Sequence, residues 1–248
     1  MSLQTGWNSF PFENITLEPG NFADELKGLR IVQLSDLHMK KSLDISYLEN
    51  LVKKVNALHP DLVVFTGDIL QTFAFRLRAH FHAFRALEAA AYYVTGNHDI
   101  VYGPKTLKKE LAHNGIICLD NSIATLNINN TPLQVVGLSD RYSFARGIKR
   151  PIDELFSRLD ENISTILLAH QPKDIEHTSK YRIDIQLSGH THAGQVYPFN
   201  KLVKRFQPYF AGLYIHGKTL LYVTRGLGYW GPQVRYKAPS EIPIFTIL

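Results

Sequence analysis

Runs of apolar residues alternate with amphipathic segments along the first hundred residues. Apolar, β-branched runs at 30–36, 62–68 and 91–99 predict strands that each end in a polar turn. The segments 44–60 and 73–90 place apolar residues at helical spacing and predict helices between these strands. Strands that alternate with helices are typical of an α/β sheet covered by helices.

The second half of the chain is richer in strands. Apolar or alternating runs predict strands at 123–129, 133–139, 163–170, 183–190, 213–217, 219–226 and 243–248. A helix is predicted over 151–160, where Pro151 suits the first turn. No repeat, linker or domain boundary is visible. We therefore predict one α/β domain over 1–248 with at least one mixed sheet, and a peripheral N-terminal segment over 1–27.

Composition narrows the classes of protein that the chain fits. Its 248 residues are 45% apolar and 20% charged, which is ordinary for a globular protein with a sizeable core. The single cysteine, Cys118, excludes a disulfide framework and a cysteine-rich metal site. No apolar run approaches the roughly 18 residues of a membrane span, and no signal peptide is visible. The expected location is cytoplasmic or peripheral at the inner membrane, and a removed anchor before residues 1–27 stays open.

Polar donors follow directly where five of the predicted strands end. In chain order these donors are Asp36 and His38, then Asp68, then Asn97, His98 and Asp99, then His170, and finally His190 and His192. Strand ends of an α/β sheet are where sites are usually built, because a rigid sheet positions side chains that a loop exposes. Residues two apart in an extended segment point to the same side, so Asp-x-His and His-x-His can each aim two donors at one point.

These donors are too many for a single ion. The oxygen donors are Asp36, Asp68 and Asn97, and the imidazoles are His38, His170, His190 and His192. One ion that keeps an open position cannot use all of them, whereas two ions that share a carboxylate can. Mixed nitrogen and oxygen ligation favours Mn, Fe, Zn, Co or Ni over Mg or Ca, and we expect Mn first. Each motif alone is typical of a turn or a surface histidine, but five in order at strand ends indicate a metal site.

The same motifs resemble a known family. Asp36-Leu37-His38, Gly67-Asp68, Gly96-Asn97-His98-Asp99, His170 and Gly189-His190-Thr191-His192 match the motif set of the calcineurin-like metallophosphoesterases. The residues at 34–38, 166–172 and 222–232 resemble the YkuE/YaeI-type branch, which is related to the UDP-2,3-diacylglucosamine hydrolases of lipid A synthesis. The resemblance implies a central β-sandwich with helices on both outer faces, in α/β/β/α layers.

The resemblance also implies a role for each donor. Asp36, His38 and His192 would hold a first ion, Asn97, His170 and His190 a second, and Asp68 would bridge them. The implied reaction is hydrolysis of a phosphodiester or pyrophosphate bond by a metal-bridging hydroxide. The branch suggests a lipid-linked substrate such as UDP-2,3-diacylglucosamine. We expect His98 to be the general acid, with Asp99 orienting its other nitrogen, and a structural histidine is the alternative.

Two other functions stay open. One is a general small-molecule phosphodiesterase or phosphatase without lipid preference. The other is a non-catalytic metal-binding scaffold, against which the intact ligands and His98 argue. The net charge of +5 fits anionic partners, but no dedicated nucleic-acid motif and no second domain that could grip a duplex are visible. The oligomeric state is not predicted.

Two segments combine basic and aromatic residues. In 73–87 the apolar residues share one helical face, which favours a helix packed on the core over one that lies on anionic lipid. The segment 197–214 directly follows the metal histidines, and we weigh an ordinary packed loop against contact with a lipid chain or an anionic membrane. The candidate substrate contacts are Lys201, Lys204 and Arg205 in this segment, and Arg141 and Arg225 as phosphate clamps.

Overall fold

Two six-stranded sheets form the centre of the structure, a computed structural model that describes residues 3–5, 9–18 and 22–248. The first sheet has the order β2 (Phe12–Leu17), β14 (Ile242–Ile247), β3 (Arg30–Leu34), β4 (Leu62–Phe65), β5 (Ala90–Tyr93) and β6 (Ile116–Cys118). The strands β3 to β6 are parallel, and β14 joins β3 in antiparallel register. The segment 1–27, predicted to be peripheral, thus contributes the edge strand β2, while residues 1–2, 6–8 and 19–21 lie outside the described ranges.

The second sheet has the same mixed character. Its order is β11 (Gly212–His216), β12 (Thr219–Val223), β10 (Ile185–Ser188), β9 (Ser164–Ala169), β8 (Thr131–Leu138) and β7 (Ser122–Ile128). The four inner strands are parallel, and the two edge strands are antiparallel to their neighbours. A separate ribbon pairs β1 (Leu3–Thr5) with β13 (Val234–Tyr236).

The core follows from the two-residue period of the central strands. On β3, Ile31 packs between the two sheets, whereas Val32 packs under the helices on the outer face. On β9, Ile166 points between the sheets and Leu167 points outward. Both faces of each central strand are therefore buried, which explains why these strands read as continuous apolar runs.

Helices cover both outer faces. The α-helices are α1 (Ile45–Asn56), α2 (Arg78–Phe81), α3 (Asn97–Tyr102), α4 (Pro104–His113), α5 (Ile152–Phe156), α6 (Ile175–Thr178) and α7 (Phe199–Phe206). Short 3₁₀ turns lie at Asp24–Leu26, Ala74–Arg76, His82–Ala86, Arg141–Arg146, Pro172–Asp174 and His192–Gly194. The helices α1, α2 and α4 pack on the first sheet, and α5 and α6 on the second. The predicted α/β/β/α sandwich is confirmed. Within the described ranges, no helix has the length and apolar character to cross a membrane.

The prediction of one helix over 73–90 was wrong. This segment forms two 3₁₀ turns around α2, and Leu87 is already extended. The reason is the register of the first sheet, because β5 must begin at Ala90 to pair with Leu62 of β4. The expected burial is nevertheless found, since Leu77, Phe81 and Phe84 are buried while Phe73 is 48% exposed.

Candidate metal centre

The candidate donors meet where the carboxyl ends of both sheets come together. Asp36 follows β3, Asp68 follows β4, Asn97 follows β5, His170 follows β9 and His190 follows β10. All five strands are members of the parallel cores of the two sheets, so their carboxyl ends lie on one edge of the sandwich. The fold therefore brings donors from positions between 36 and 192 to a single site.

Five of the candidate ligands have a positive φ angle, a backbone conformation that is rare outside glycine. Positive φ angles occur at Asp36 (53°), His38 (46°), Asp68 (51°), His190 (72°) and His192 (51°). Such angles are uncommon outside glycine and cost about 1–3 kcal/mol each, and they cluster at functional sites. The chain thus accepts a conformational cost at most of the candidate ligands, which turns their side chains toward each other.

A first cluster brings Asp36, His38 and His192 together. Nε2 of His192 lies 3.3 Å from Oδ1 of Asp36 and 2.9 Å from Nε2 of His38. Nε2 of His38 is 4.0 Å from the same Asp36 oxygen. One donor atom from each of the three buried residues lies within 4.8 Å of the other two, close enough for all three to reach one ion.

A second cluster shares Asp68 with the first. Oδ2 of Asp68 lies 3.3 Å from Nε2 of His170 and 3.7 Å from Nε2 of His38. His190 completes a group of donors with Asp68 and His170, and its Nδ1 lies 3.0 Å from Oδ1 of Asn97. One Asp68 oxygen is thus placed between the two clusters. All seven predicted metal ligands lie at this site.

Neighbouring groups fix the orientation of these donors. Nδ1 of His170 lies 2.7 Å from the Thr66 carbonyl and donates to it, which leaves the Nε2 lone pair toward Asp68. Oδ2 of Asp36 accepts from the Ser35 hydroxyl at 2.6 Å. Oδ1 of Asp68 accepts from the backbone nitrogen of His98 at 2.8 Å, so that its Oδ2 stays directed between the clusters.

The electrostatics of the site suit a cation. Burial alone would raise the pKa of Asp36 and of Asp68, but the surrounding imidazoles outweigh it and lower both pKa values. Burial lowers the pKa of His38 to about 3 and that of His190 to about 4. The site therefore combines ionised carboxylates with neutral imidazoles at His38 and His190, which are the protonation states that metal ligands need.

The pKa of His170 indicates that the carboxylates of the site attract positive charge. Burial would lower its pKa, yet Asp68 and Asp36 raise it well above the ordinary range. Its Nε2 is buried without a hydrogen-bond partner among the described residues, although it lies 3.3 Å from Asp68. In that same set, no lysine or arginine forms an ion pair with Asp36 or Asp68. The residues present thus fit two divalent ions with mixed nitrogen and oxygen ligands.

His98 lies at the site, whereas Asp99 takes a different position from the one expected. His98 lines the site, and it forms a third donor group with His38 and Asp68. The expected hydrogen bond from the imidazole of His98 to the Asp99 carboxylate is not formed, since Nδ1 of His98 is buried without a partner among the described residues. Asp99 is fully buried and instead accepts from the Leu70 nitrogen, the Tyr93 hydroxyl and the Gly96 nitrogen at 2.9, 2.9 and 3.0 Å. Asp99 therefore ties the loops after β4 and β5 together and does not orient His98.

Arg235 was not predicted to belong to the site, and no local sequence pattern marks it; it is fully buried beside the first cluster. The Nη2 nitrogen of Arg235 donates to Nδ1 of His192 at 3.1 Å. It also donates to the carbonyls of Gly226 and Gly228 at 3.1 and 2.6 Å. Burial lowers the Arg235 pKa to about 10, so the guanidinium stays charged at neutral pH. Because a guanidinium only donates, Nδ1 of His192 accepts and the neutral ring carries its proton on Nε2, so Nε2 would have to release this proton to bind a cation.

A cavity of about 250 Å³ opens over the two clusters. Its lining residues are His38, Asp68, Asn97, His98, His190, Thr191, His192, Phe199, Val203, Gln207 and Trp230. Part of the lining is therefore built of polar donors, and another part is largely apolar and comes from α7 and Trp230. A substrate that presents a phosphoryl group to the donors would place neighbouring groups against this apolar part of the lining.

None of the five predicted substrate contacts lines this cavity. Lys201, Lys204 and Arg205 lie on α7, exposed to solvent. Arg141 forms an ion pair with the buried Asp174 and lines a different cavity. Arg225 is bound by Glu13 and Glu241 at 2.6 and 2.5 Å. Neither Arg141 nor Arg225 lines the cavity over the donors.

Comparison with known proteins places the chain in a family. Residues 29–194 match the family model of the calcineurin-like phosphoesterases. An uncharacterised metallophosphoesterase of Helicobacter pylori is 35% identical over 92% of this chain and 62% of its own length. The uncharacterised metallophosphoesterase YkuE of Bacillus subtilis is 32% identical over 89% of this chain and 79% of its own.

A third relative has a named activity. The UDP-2,3-diacylglucosamine pyrophosphatase LpxG of Chlamydia muridarum is 30% identical over 93% of this chain and 86% of its own length. The chain spans about 60% of the length of the Helicobacter relative. The family match covers the strands that supply the metal donors up to Gly194, and it confirms the resemblance carried by the five motifs. This chain belongs to the calcineurin-like phosphoesterase family.

Proposed function

We propose that the chain is a dinuclear, metal-dependent phosphoesterase that hydrolyses a phosphodiester or pyrophosphate bond. The observation that supports this proposal best is the pair of donor clusters that share Asp68 at the floor of one cavity. In this proposal Asp36, His38 and His192 hold one ion, Asn97, His170 and His190 hold the other, and Asp68 bridges them. Mn is the first choice of metal, with Fe, Zn, Co and Ni as alternatives.

Two bound ions would supply Lewis acidity to the phosphoryl oxygens and a water of lowered pKa. The chain's own contribution begins with His98, which lines the cavity beside His38 and Asp68. In this position its imidazole can donate a proton to the leaving oxygen, while its backbone nitrogen holds Asp68 in place. Burial of the carboxylates and imidazoles keeps bulk water away from their charges and strengthens their effect on the substrate.

We further propose that the substrate is lipid-linked, as UDP-2,3-diacylglucosamine is. The apolar part of the cavity lining, with Phe199, Val203 and Trp230, supports this class because it offers apolar contact beside the reacting phosphorus. The name of the Chlamydia relative supports the same class. Such a substrate resides in a membrane, so the proposal includes peripheral contact with an anionic membrane.

The test is turnover of UDP-2,3-diacylglucosamine by the Mn-loaded protein, followed by phosphorus NMR. Release of UMP and the acylated sugar phosphate is the expected result. Asp68→Asn is expected to lose bound metal and turnover together, whereas Asp24→Asn, a matched change at an exposed carboxylate, should retain both. Wild-type turnover that persists in Asp68→Asn would contradict the shared-ligand arrangement.

A soluble aryl phosphodiester distinguishes the alternatives. Its cleavage without any turnover of the lipid-linked substrate would favour a general phosphodiesterase or phosphatase. Bound metal without cleavage of either substrate would favour a non-catalytic scaffold. The position of His98 at the cavity argues against the scaffold.

A further inference from the structure

The helix α7 presents apolar side chains to solvent. None of its residues is buried, and Leu202 and Phe206 are 49% and 64% exposed. Phe199, Leu202, Val203 and Phe206 follow the i, i+3, i+4, i+7 spacing and therefore share one face of the helix. Phe199 and Val203 line the cavity over the donors, so Leu202 and Phe206 extend this apolar face from the cavity onto the surface.

Two amphipathic aromatic residues flank this face. Trp230 is 40% exposed, and its ring centre lies 6.2 Å from that of Phe199. Tyr197, immediately before α7, is 37% exposed. Tryptophan and tyrosine have an apolar ring and a polar tip, and they are enriched where a surface is apolar on one side and wet on the other.

The segment of the chain that contains α7 has cationic but no anionic side chains. Residues 185–240 contain seven Lys and Arg and no Asp or Glu, while the remaining 20 Lys and Arg are opposed by all 22 Asp and Glu. The positive net charge of the chain therefore lies in this segment. Lys201, Lys204 and Arg205 on α7 are exposed, and within the described part of the chain none of them pairs with a carboxylate. An anionic surface is complementary to this arrangement.

We infer that α7 docks the protein on an anionic lipid bilayer. Leu202 and Phe206 enter the boundary between headgroups and acyl chains, and Lys201, Lys204 and Arg205 lie at the level of the anionic headgroups. The inference deepens the proposed function and rests on it in one respect, since a lipid-linked substrate would then reach the cavity along the apolar face of α7. Docking itself requires neither bound metal nor turnover.

Vesicle co-sedimentation at low ionic strength tests the inference with the intact protein in EDTA. Vesicles of phosphatidylcholine with phosphatidylglycerol should bind the wild type, and vesicles of phosphatidylcholine alone should bind it at least tenfold less. Each cation at an anionic surface contributes about fivefold to binding, so a variant with Lys201→Gln, Lys204→Gln and Arg205→Gln should bind about 100-fold more weakly. Leu202→Gln with Phe206→Gln should weaken binding by at least about tenfold.

Control variants carry the same kinds of substitution elsewhere, two cations and one apolar residue. Lys53→Gln with Lys54→Gln removes two exposed cations from α1, and Ile117→Gln removes a half-exposed apolar residue from β6. Neither should alter binding. Absence of wild-type binding to anionic vesicles, equal binding to neutral vesicles, or equal losses in the control variants would each overturn the inference.

The docking inference and the proposed function can succeed or fail independently in these experiments. Asp68→Asn should bind anionic vesicles as well as the wild type, because the docking face contains no metal ligand. Vesicle binding by a protein that hydrolyses no phosphoester would sustain the docking inference and refute the proposed function. Hydrolysis of a soluble phosphodiester by a protein that does not bind vesicles would refute docking alone.

Discussion

Gly96 lies so close to Asp68 that a single methyl group should disable both metal positions. Its φ of −97° is open to any residue, so the requirement for glycine is steric and not conformational. A Cβ at this position would overlap the backbone nitrogen and Oδ1 of Asp68 and would lie 2.7 Å from its Cγ. Ordinary contacts of a Cβ begin at 3.4 Å and Oδ1 lies closer than Cγ, so Gly96→Ala must push the Asp68 carboxylate away by more than about 1 Å.

This displacement is large on the scale of metal coordination. Ligand distances in metal sites vary by only about 0.2 Å, and a shifted orienting contact typically costs 10–100-fold in metal affinity. Because Asp68 contributes to both clusters, we expect affinity for both ions to fall by about 100-fold in Gly96→Ala. Overpacking should also lower the free energy of unfolding of the metal-free protein by about 1–3 kcal/mol.

The assay is metal titration with competition by a chelator, with bound metal counted by elemental analysis. Gly189→Ala is the matched comparison, since its Cβ would overlap Oδ2 of Asp36 and the hydroxyl of Ser35. Asp36 belongs to the first cluster alone, so Gly189→Ala should weaken one ion and spare the other. Gly147→Ala is the control for the substitution itself, because a Cβ there has no heavy atom within 4 Å and only its φ of 69° is unfavourable.

One result would refute this reasoning directly. Retention of two tightly bound ions by Gly96→Ala would show that Asp68 is not the shared ligand. Loss of both ions in Gly189→Ala with retention in Gly96→Ala would assign the bridging role to Asp36.

Three further predictions address the surrounding residues. His98→Asn should retain both ions and lower turnover by about 10²–10⁴-fold with poor leaving groups but far less with an aryl leaving group; loss of an ion would make His98 a ligand. Asp99→Asn should lower the free energy of unfolding of the metal-free protein by about 1–3 kcal/mol, measured in urea, because buried donors from three segments lose their carboxylate. Burial raises the pKa of Asp184 from 3.8 to about 6. The folded protein therefore holds this proton more tightly than the unfolded chain, and stability should fall by at most about 3 kcal/mol as pH rises from about 4 through 6. Asp184→Asn should flatten that slope in urea unfolding across this range, and an unchanged slope would contradict the shift.

The sequence predicted the architecture and the position of the donors well, because both follow from local patterns. Continuous apolar runs mark strands that are buried on both faces, and a polar donor after such a run marks a strand end. The four-residue stretch from Gly96 to Asp99 shows how far this extends. Its glycine and asparagine could be assigned to the site, but the role of Asp99 was wrong, since its partners Leu70 and Tyr93 lie on other segments.

Other features depend on contacts between residues that are distant in the sequence, so no local sequence pattern predicts them. Arg235 lies 43 residues beyond His192 and contacts it only after β13 has folded back over the site. The positive φ angles at Asp36 and His190 are imposed by the surrounding structure, because the residue types alone disfavour them. The prediction of one helix over 73–90 was wrong for the same reason, because the register of the first sheet and not the helical periodicity determines where this segment becomes extended.

Stepwise metal loading tests the central proposal most directly. Metal-free protein would receive Mn in increments while the initial rate of aryl phosphodiester cleavage and the number of bound ions are measured on the same sample. Two bound ions per chain, with turnover that rises as the second is bound and is absent in Asp68→Asn, is the predicted result. Full turnover with a single ion, or turnover in the presence of excess chelator, would contradict the dinuclear mechanism.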